Sequence, residues 1–120
     1  MRYLFILSLL FISCGYDDPV EVPVYKLQVR SSGKNVVFQQ VALPNNLLSV
    51  SNDNQIFELT DLKETGNLTA TVIYSCEGGD NDSKDLTLNF YEDKTTVIKV
   101  DKVIRSQAGC VVAMIVLYEP

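Results

Sequence analysis

Apolar and polar residues alternate with a period of two in short blocks along most of this chain, the pattern that puts one set of side chains on one face of a β-strand. Tyr25, Leu27 and Val29 alternate with Lys26, Gln28 and Arg30. Leu68, Ala70, Val72, Tyr74 and Cys76 alternate with Thr69, Thr71 and Ser75, interrupted by one apolar residue, Ile73. Leu86, Leu88 and Phe90 alternate with Thr87 and Asn89. Residues 36–43, 56–59, 96–103 and 109–118 complete a set of seven strands, with a short further one at 47–50. Turn-forming clusters separate the blocks: Ser31-Ser32-Gly33-Lys34, Pro44-Asn45-Asn46, Ser51-Asn52-Asp53-Asn54, Gly78-Gly79-Asp80-Asn81 and Ser106-Gln107-Ala108-Gly109. No stretch keeps a helical period. The pattern predicts an all-β chain folded as a single β-sandwich. Within it, Cys110-Val-Val-Ala-Met-Ile-Val-Leu117 is apolar on both faces, as expected of a strand inside a sheet with material above and below.

The first residues break the alternation. Arg2 precedes an apolar run from Tyr3 to Ile12, and small and polar residues follow. This is the layout of an export signal, and the run is too short to cross a bilayer, which takes roughly 20 residues as a helix. The run closes on Phe11-Ile12-Ser13-Cys14, which resembles the lipobox of bacterial lipoproteins, with Ser13 as the small residue before the cysteine and Phe11 where leucine is usual. The resemblance implies that Cys14 receives a diacylglycerol and becomes the first residue of the mature chain. Residues 1–13 are then the signal peptide, 14–23 a lipidated tether rich in acids and prolines, and 24–120 the sandwich domain. Asp17-Asp18 resembles the acidic signal that sends some Gram-negative lipoproteins to the outer leaflet. Location is therefore expected at the Gram-negative outer membrane, on its periplasmic face or at the cell surface.

Export changes how the other two cysteines read. Cys76 and Cys110 form an even pair in a chain bound for an oxidising compartment, and a disulfide is the natural reading. The alternatives are a metal site, a reactive thiol or two unpaired buried thiols. With no histidine in the chain, two cysteines make a poor zinc site. Cys76 shares parity with Val72 and Tyr74, and Cys110 with Val112 and Met114, so both can face the core. Closing the loop between them would contribute about 4 kcal/mol in the chain-entropy model. The formal charge of −5 becomes one unit more negative when Arg2 leaves with the signal. Such a surface repels nucleic acid and anionic headgroups, so membrane contact is expected to come from the lipid.

Leu27-Gln28-Val29-Arg30-Ser31-Ser32-Gly33-Lys34-Asn35-Val36, then Val41-Ala42-Leu43, Phe57-Glu58-Leu59 with Leu62, and Gly66-Asn67-Leu68-Thr69-Ala70-Thr71-Val72 together resemble the carboxypeptidase regulatory-like, transthyretin-like domains. Lys34-Asn35 stands where that family carries a proline, and Tyr74-Ser75-Cys76 replaces its Gly-aromatic pair. The resemblance implies a transthyretin-like sandwich of about seven strands, with an immunoglobulin-like one as the alternative, acting as a noncatalytic module for folding, spacing or contact.

The residues themselves offer little chemistry. Without histidine there is no Ser-His-Asp or Cys-His site, and no nucleophile elbow or phosphate-binding glycine loop occurs. No catalytic residue, cofactor site or metal site is expected. Oxygen ligands on the glycine-containing stretch Glu77-Gly78-Gly79-Asp80-Asn81-Asp82-Ser83-Lys84-Asp85 can take up calcium, but the EF-hand spacing is missing and a solvated hairpin loop is the simpler expectation. Three function classes remain. The first is a module that contacts a protein partner or serves envelope-complex assembly. The second is a glycan-binding lipoprotein using exposed tyrosines such as Tyr91, although tryptophan is absent. The third is a small enzyme inhibitor. A row of exposed aromatics would mark the second, and a protruding loop with apolar side chains the third.

Overall fold

A computed structural model describes residues 22–107 and 109–120 of the chain. Eight strands form: β1 (Tyr25–Arg30), β2 (Val36–Leu43), β3 (Asn46–Ser49), β4 (Ile56–Leu59), β5 (Leu68–Cys76), β6 (Asn81–Leu88), β7 (Thr95–Ser106) and β8 (Gly109–Glu119). One sheet has the order β4-β1-β7-β8 and the other β3-β2-β5-β6. The chain is thus an all-β sandwich of two four-stranded sheets. All pairings are antiparallel except that of β1 with β7, which is parallel. Placing the first strand beside the fourth and seventh distributes the strands differently from the immunoglobulin arrangement, in which the first strand joins the second, fifth and fourth.

The alternation sets the packing. Leu27 and Val29 of β1, Val41 of β2, Val72 of β5, and Ile98 and Val100 of β7 are fully buried between the sheets. Their chain neighbours Lys26 and Lys99 sit on the opposite side of the first sheet. Two buried polar groups are satisfied locally. Thr96 Oγ1 donates to the Asn89 carbonyl at 2.6 Å, and the Ser31 amide and hydroxyl donate to the two carboxylate oxygens of Asp53 at 2.7 and 2.8 Å.

Three expectations from the sequence need correction. The strand expected at 86–90 runs Asn81–Leu88, and Phe90 lies beyond it, buried in the core. The polar stretch from Glu77 to Asp85 is therefore a loop only as far as Asp80, because Asn81 already pairs with Ser75 and each residue to Leu88 continues the ladder. An edge strand with only its end covered has no need of apolar alternation over its first half. The third correction concerns β8, which is not inside a sheet. It lies at the edge, paired with β7, and its outward side chains Val111 and Ile115 reach solvent.

The outer face of the first sheet carries a polar strap. Arg30 Nη1 and Nη2 donate to Glu119 Oε2 and Oε1 at 2.8 and 2.6 Å, while Nε donates to Gln28 Oε1 at 2.8 Å. Val97, which pairs with Gln28 on one side and Leu117 on the other, lies on this face and is nevertheless fully buried. The hydrogen bonds from Arg30 hold the Glu119 carboxyl below the usual carboxylate range, with the positive charges of Arg30 and Lys99 adding to the effect. A carboxylate whose folded-state pKa is lowered contributes stability above its unfolded value, about 4.3, and loses it as the pH falls through the folded value. Wild type is therefore expected to be more stable than Glu119→Gln at neutral pH. Chemical denaturation at stepped pH should show that difference shrinking below about pH 4.

Candidate functional site

The strands run between two ends of the sandwich. Tyr25, Leu43, Leu59, Leu68, Leu88, Thr95 and Glu119 lie at one end, where residues 22–24 lead into β1. The β1–β2, β3–β4, β5–β6 and β7–β8 connections lie at the other. Cys14, the expected lipid-attachment residue, lies outside the described residues, as does the tether through residue 21.

Cys76 and Cys110 do form a disulfide, with Cα atoms 6.4 Å apart and a sequence separation of 34. Cys76 ends β5 in one sheet and Cys110 begins β8 in the other, so the bond ties the two sheets together. Both sulfurs belong to half-buried residues packed against the core, as their parity with Tyr74 and Val112 requires.

The tie matters because the hairpin it holds projects. β1 pairs with β7 only along residues 95–99, so from Val100 onward β7 and β8 run on as a two-stranded ribbon. The ribbon is fastened to the other sheet by core packing of Val100, Val112 and Met114 and, nearer its tip, by the disulfide, an ion pair between Arg105 and Glu77, and a hydrogen bond from Lys84 Nζ to the Val112 carbonyl at 3.1 Å.

Between the tips of the β5–β6 and β7–β8 hairpins is a cleft of about 470 Å³. The disulfide and Tyr74 line it from within, and Glu77, Asp80, Asp82 and Arg105 stand around it. The β5–β6 turn shapes one wall. Glu77 and Gly78 both have positive φ, 54° and 76°, and the Gly79 amide donates to the Cys76 carbonyl at 3.0 Å. Two successive positive φ values are what a type I′ hairpin turn requires; Gly78 meets the second without strain, while the first falls on Glu77. Burial pushes the Tyr74 phenol pKa up, and the carboxylate of Asp82, its cross-strand partner, adds to the shift. Among the described residues no three of His, Cys, Asp and Glu are placed together to hold a metal ion.

The second feature is the open edge of β8. Of the four edge strands, β3 and β4 have four residues each, and β6 carries Asp82, Lys84 and Asp85. Short length and charge are the ordinary protections of a sheet edge against pairing with another chain. β8 supplies neither from its own residues: its 11 residues hold no charge from Gly109 to Tyr118 and no proline, and the one charge on its open side is Lys84 of β6, at the Val112 carbonyl. Val111 is 61% exposed and Ile104, directly across from it on β7, is 54% exposed, so an apolar patch lies beside the open edge. Sequence reasoning found the composition of β8 but placed it in the wrong part of the sheet.

Tyr91 is the one large aromatic exposed among the described residues. Tyr91 packs edge-on against Tyr118 with ring centroids 5.3 Å apart, and the Tyr118 hydroxyl accepts from the Asn89 amide at 3.2 Å. The tyrosines therefore do not form an exposed row. No family model, no curated protein and no solved structure matches the chain.

Proposed function

We propose that the mature chain is a noncatalytic, lipid-anchored β-sandwich of the Gram-negative outer membrane that contacts a protein partner through the edge of β8. The observation that carries this reading is the contrast among the four edges. Three are short or charged, while β8 is long, uncharged from Gly109 to Tyr118, and carries exposed Val111 beside Ile104 of β7. An edge of this kind offers a row of backbone donors and acceptors to an extended segment of another protein, and exposed apolar side chains add contact area. The lipobox-like segment ending at Cys14 supports the anchor, and the acidic surface leaves the lipid as the means of attachment. A tether over residues 14–23 reaches at most about 30 Å and enters at the end opposite the β7–β8 turn. The ribbon would then point away from the membrane.

A small enzyme inhibitor is the second reading. The projection of the β7–β8 ribbon favours it, because a presented hairpin with apolar side chains suits insertion into another protein's groove. A glycan-binding role finds less support, since the exposed aromatics do not form a platform.

The test is a photo-crosslinking amino acid introduced in place of Val111 in the full chain, in intact cells. Light is expected to give an adduct of defined mass containing one protein partner. The same probe in place of Glu58, on the short edge β4, is expected to give none. Equal adducts from both positions, or none from Val111, would reject β8 as the contact.

A further inference from the structure

The cleft between the two hairpin tips is separate from the outer face of β8, and its chemistry differs. We propose that this cleft is a binding site for an organic cation bearing a guanidinium or primary ammonium group. The first observation is the phenol at its base. Tyr74 is 5% exposed and part of the core, yet its hydroxyl has no hydrogen-bond partner among the described residues. Buried hydroxyls are nearly always partnered, and one that lines a cleft is completed by what enters the cleft.

The second observation is the charge around it. Three carboxylates, Glu77, Asp80 and Asp82, and one guanidinium, that of Arg105, line the cleft. Arg105 is engaged by Glu77, which fixes one side of the rim. Asp82 Oδ1 accepts from the Ser83 amide at 2.8 Å, which leaves its second oxygen and both oxygens of Asp80 for an incoming donor. A guanidinium or ammonium carries several N–H donors and no acceptor, which suits a phenolic oxygen beneath two carboxylates. The half-buried disulfide gives the alkyl stem an apolar wall. A hard divalent cation demands more: calcium takes six to eight oxygen ligands, and the described acids are not grouped for a metal. The net charge of −5 adds long-range attraction for any cation.

The probe is N-acetyl-arginine amide, titrated into the full chain solubilised in a nonionic detergent and followed by amide NMR. Saturable shifts are expected at Gly79, Asp80 and Gly109, and none with the uncharged citrulline analogue. Tyr74→Phe keeps the ring in the core and is expected to weaken binding about tenfold, the size of one hydrogen bond to a charged group. The double variant Asp80→Asn with Asp82→Asn should weaken it at least as much. Tighter binding of a short arginine-containing peptide than of the amide supports the site and assigns the cation to a protein side chain. The reverse order supports the site and assigns it to a free small molecule. Shifts that do not saturate, equal shifts from citrulline, saturable shifts from calcium chloride alone, or undiminished binding by Tyr74→Phe would each overturn the proposal.

Discussion

Replacing Cys76 and Cys110 together by alanine is expected to lower the melting temperature by about 20 °C in non-reducing buffer. The bond closes a 34-residue loop, which limits the unfolded chain by about 4 kcal/mol in the entropic account. For a domain of this size each kcal/mol moves the midpoint by about 4–8 °C, so several degrees per kcal/mol accumulate to a large shift. The location enlarges the local consequence. Beyond Arg30 the β7–β8 ribbon has lost β1 as a neighbour, and two-stranded ribbons are marginal on their own. Without the disulfide, the base of the ribbon keeps the core packing of Val100, Val112 and Met114, while its tip is left with the Arg105–Glu77 ion pair at the surface. Exposed pairs of this kind contribute little. Thermal unfolding followed by circular dichroism is the measurement, and a shift of only about 5 °C would show that packing, not the bond, joins the sheets at that end.

The second large effect is on location. Cys14→Ala is expected to abolish incorporation of a labelled fatty acid and to release the mature chain from the membrane fraction. The prediction rests on the Ser13-Cys14 junction that closes the apolar run. Two acyl chains anchor far more firmly than one, and nothing in the acidic domain replaces them at an anionic surface. Label retained by Cys14→Ala would mean that another residue carries the lipid, and the tether geometry would need redrawing.

The sequence made the core legible because burial leaves a local trace. Leu27, Val29, Val72 and Leu88 repeat at period two, and each is fully buried. The disulfide was legible for the same reason: parity turned Cys76 and Cys110 inward, and the export expected from the first residues made pairing the natural reading. What escaped was set by neighbours rather than by the segment itself. Residues 81–85 look like a loop because an edge strand needs few apolar side chains, although Asn81 through Asp85 pair in register with β5. β8 looks central because it is apolar on both faces, but the strand order makes it an edge. Its outer apolar side chains are thus left over by the fold instead of being consumed by it. The cleft was equally hidden, since its base and rim come from residues between Tyr74 and Asp82 and from Arg105, Ser106, Gly109 and Cys110, which meet through the strand pairing and the disulfide. The buried Tyr74 hydroxyl is a property of that meeting, and no spacing in the sequence announces it.

Contact through the β8 edge is tested most directly by asking whether capture depends on the edge backbone itself. Lys84 reaches the Val112 carbonyl on the open side of β8, and the two-residue repeat of a strand puts the Val116 amide on that side as well. Val116→Pro removes this donor, and proline is tolerated where an edge N–H faces away from the ladder. Photo-capture from position 111 should therefore be lost in Val116→Pro, with the melting temperature within a few degrees of the parent, about what a 1 kcal/mol change produces. Undiminished capture of the same partner by Val116→Pro would contradict the account.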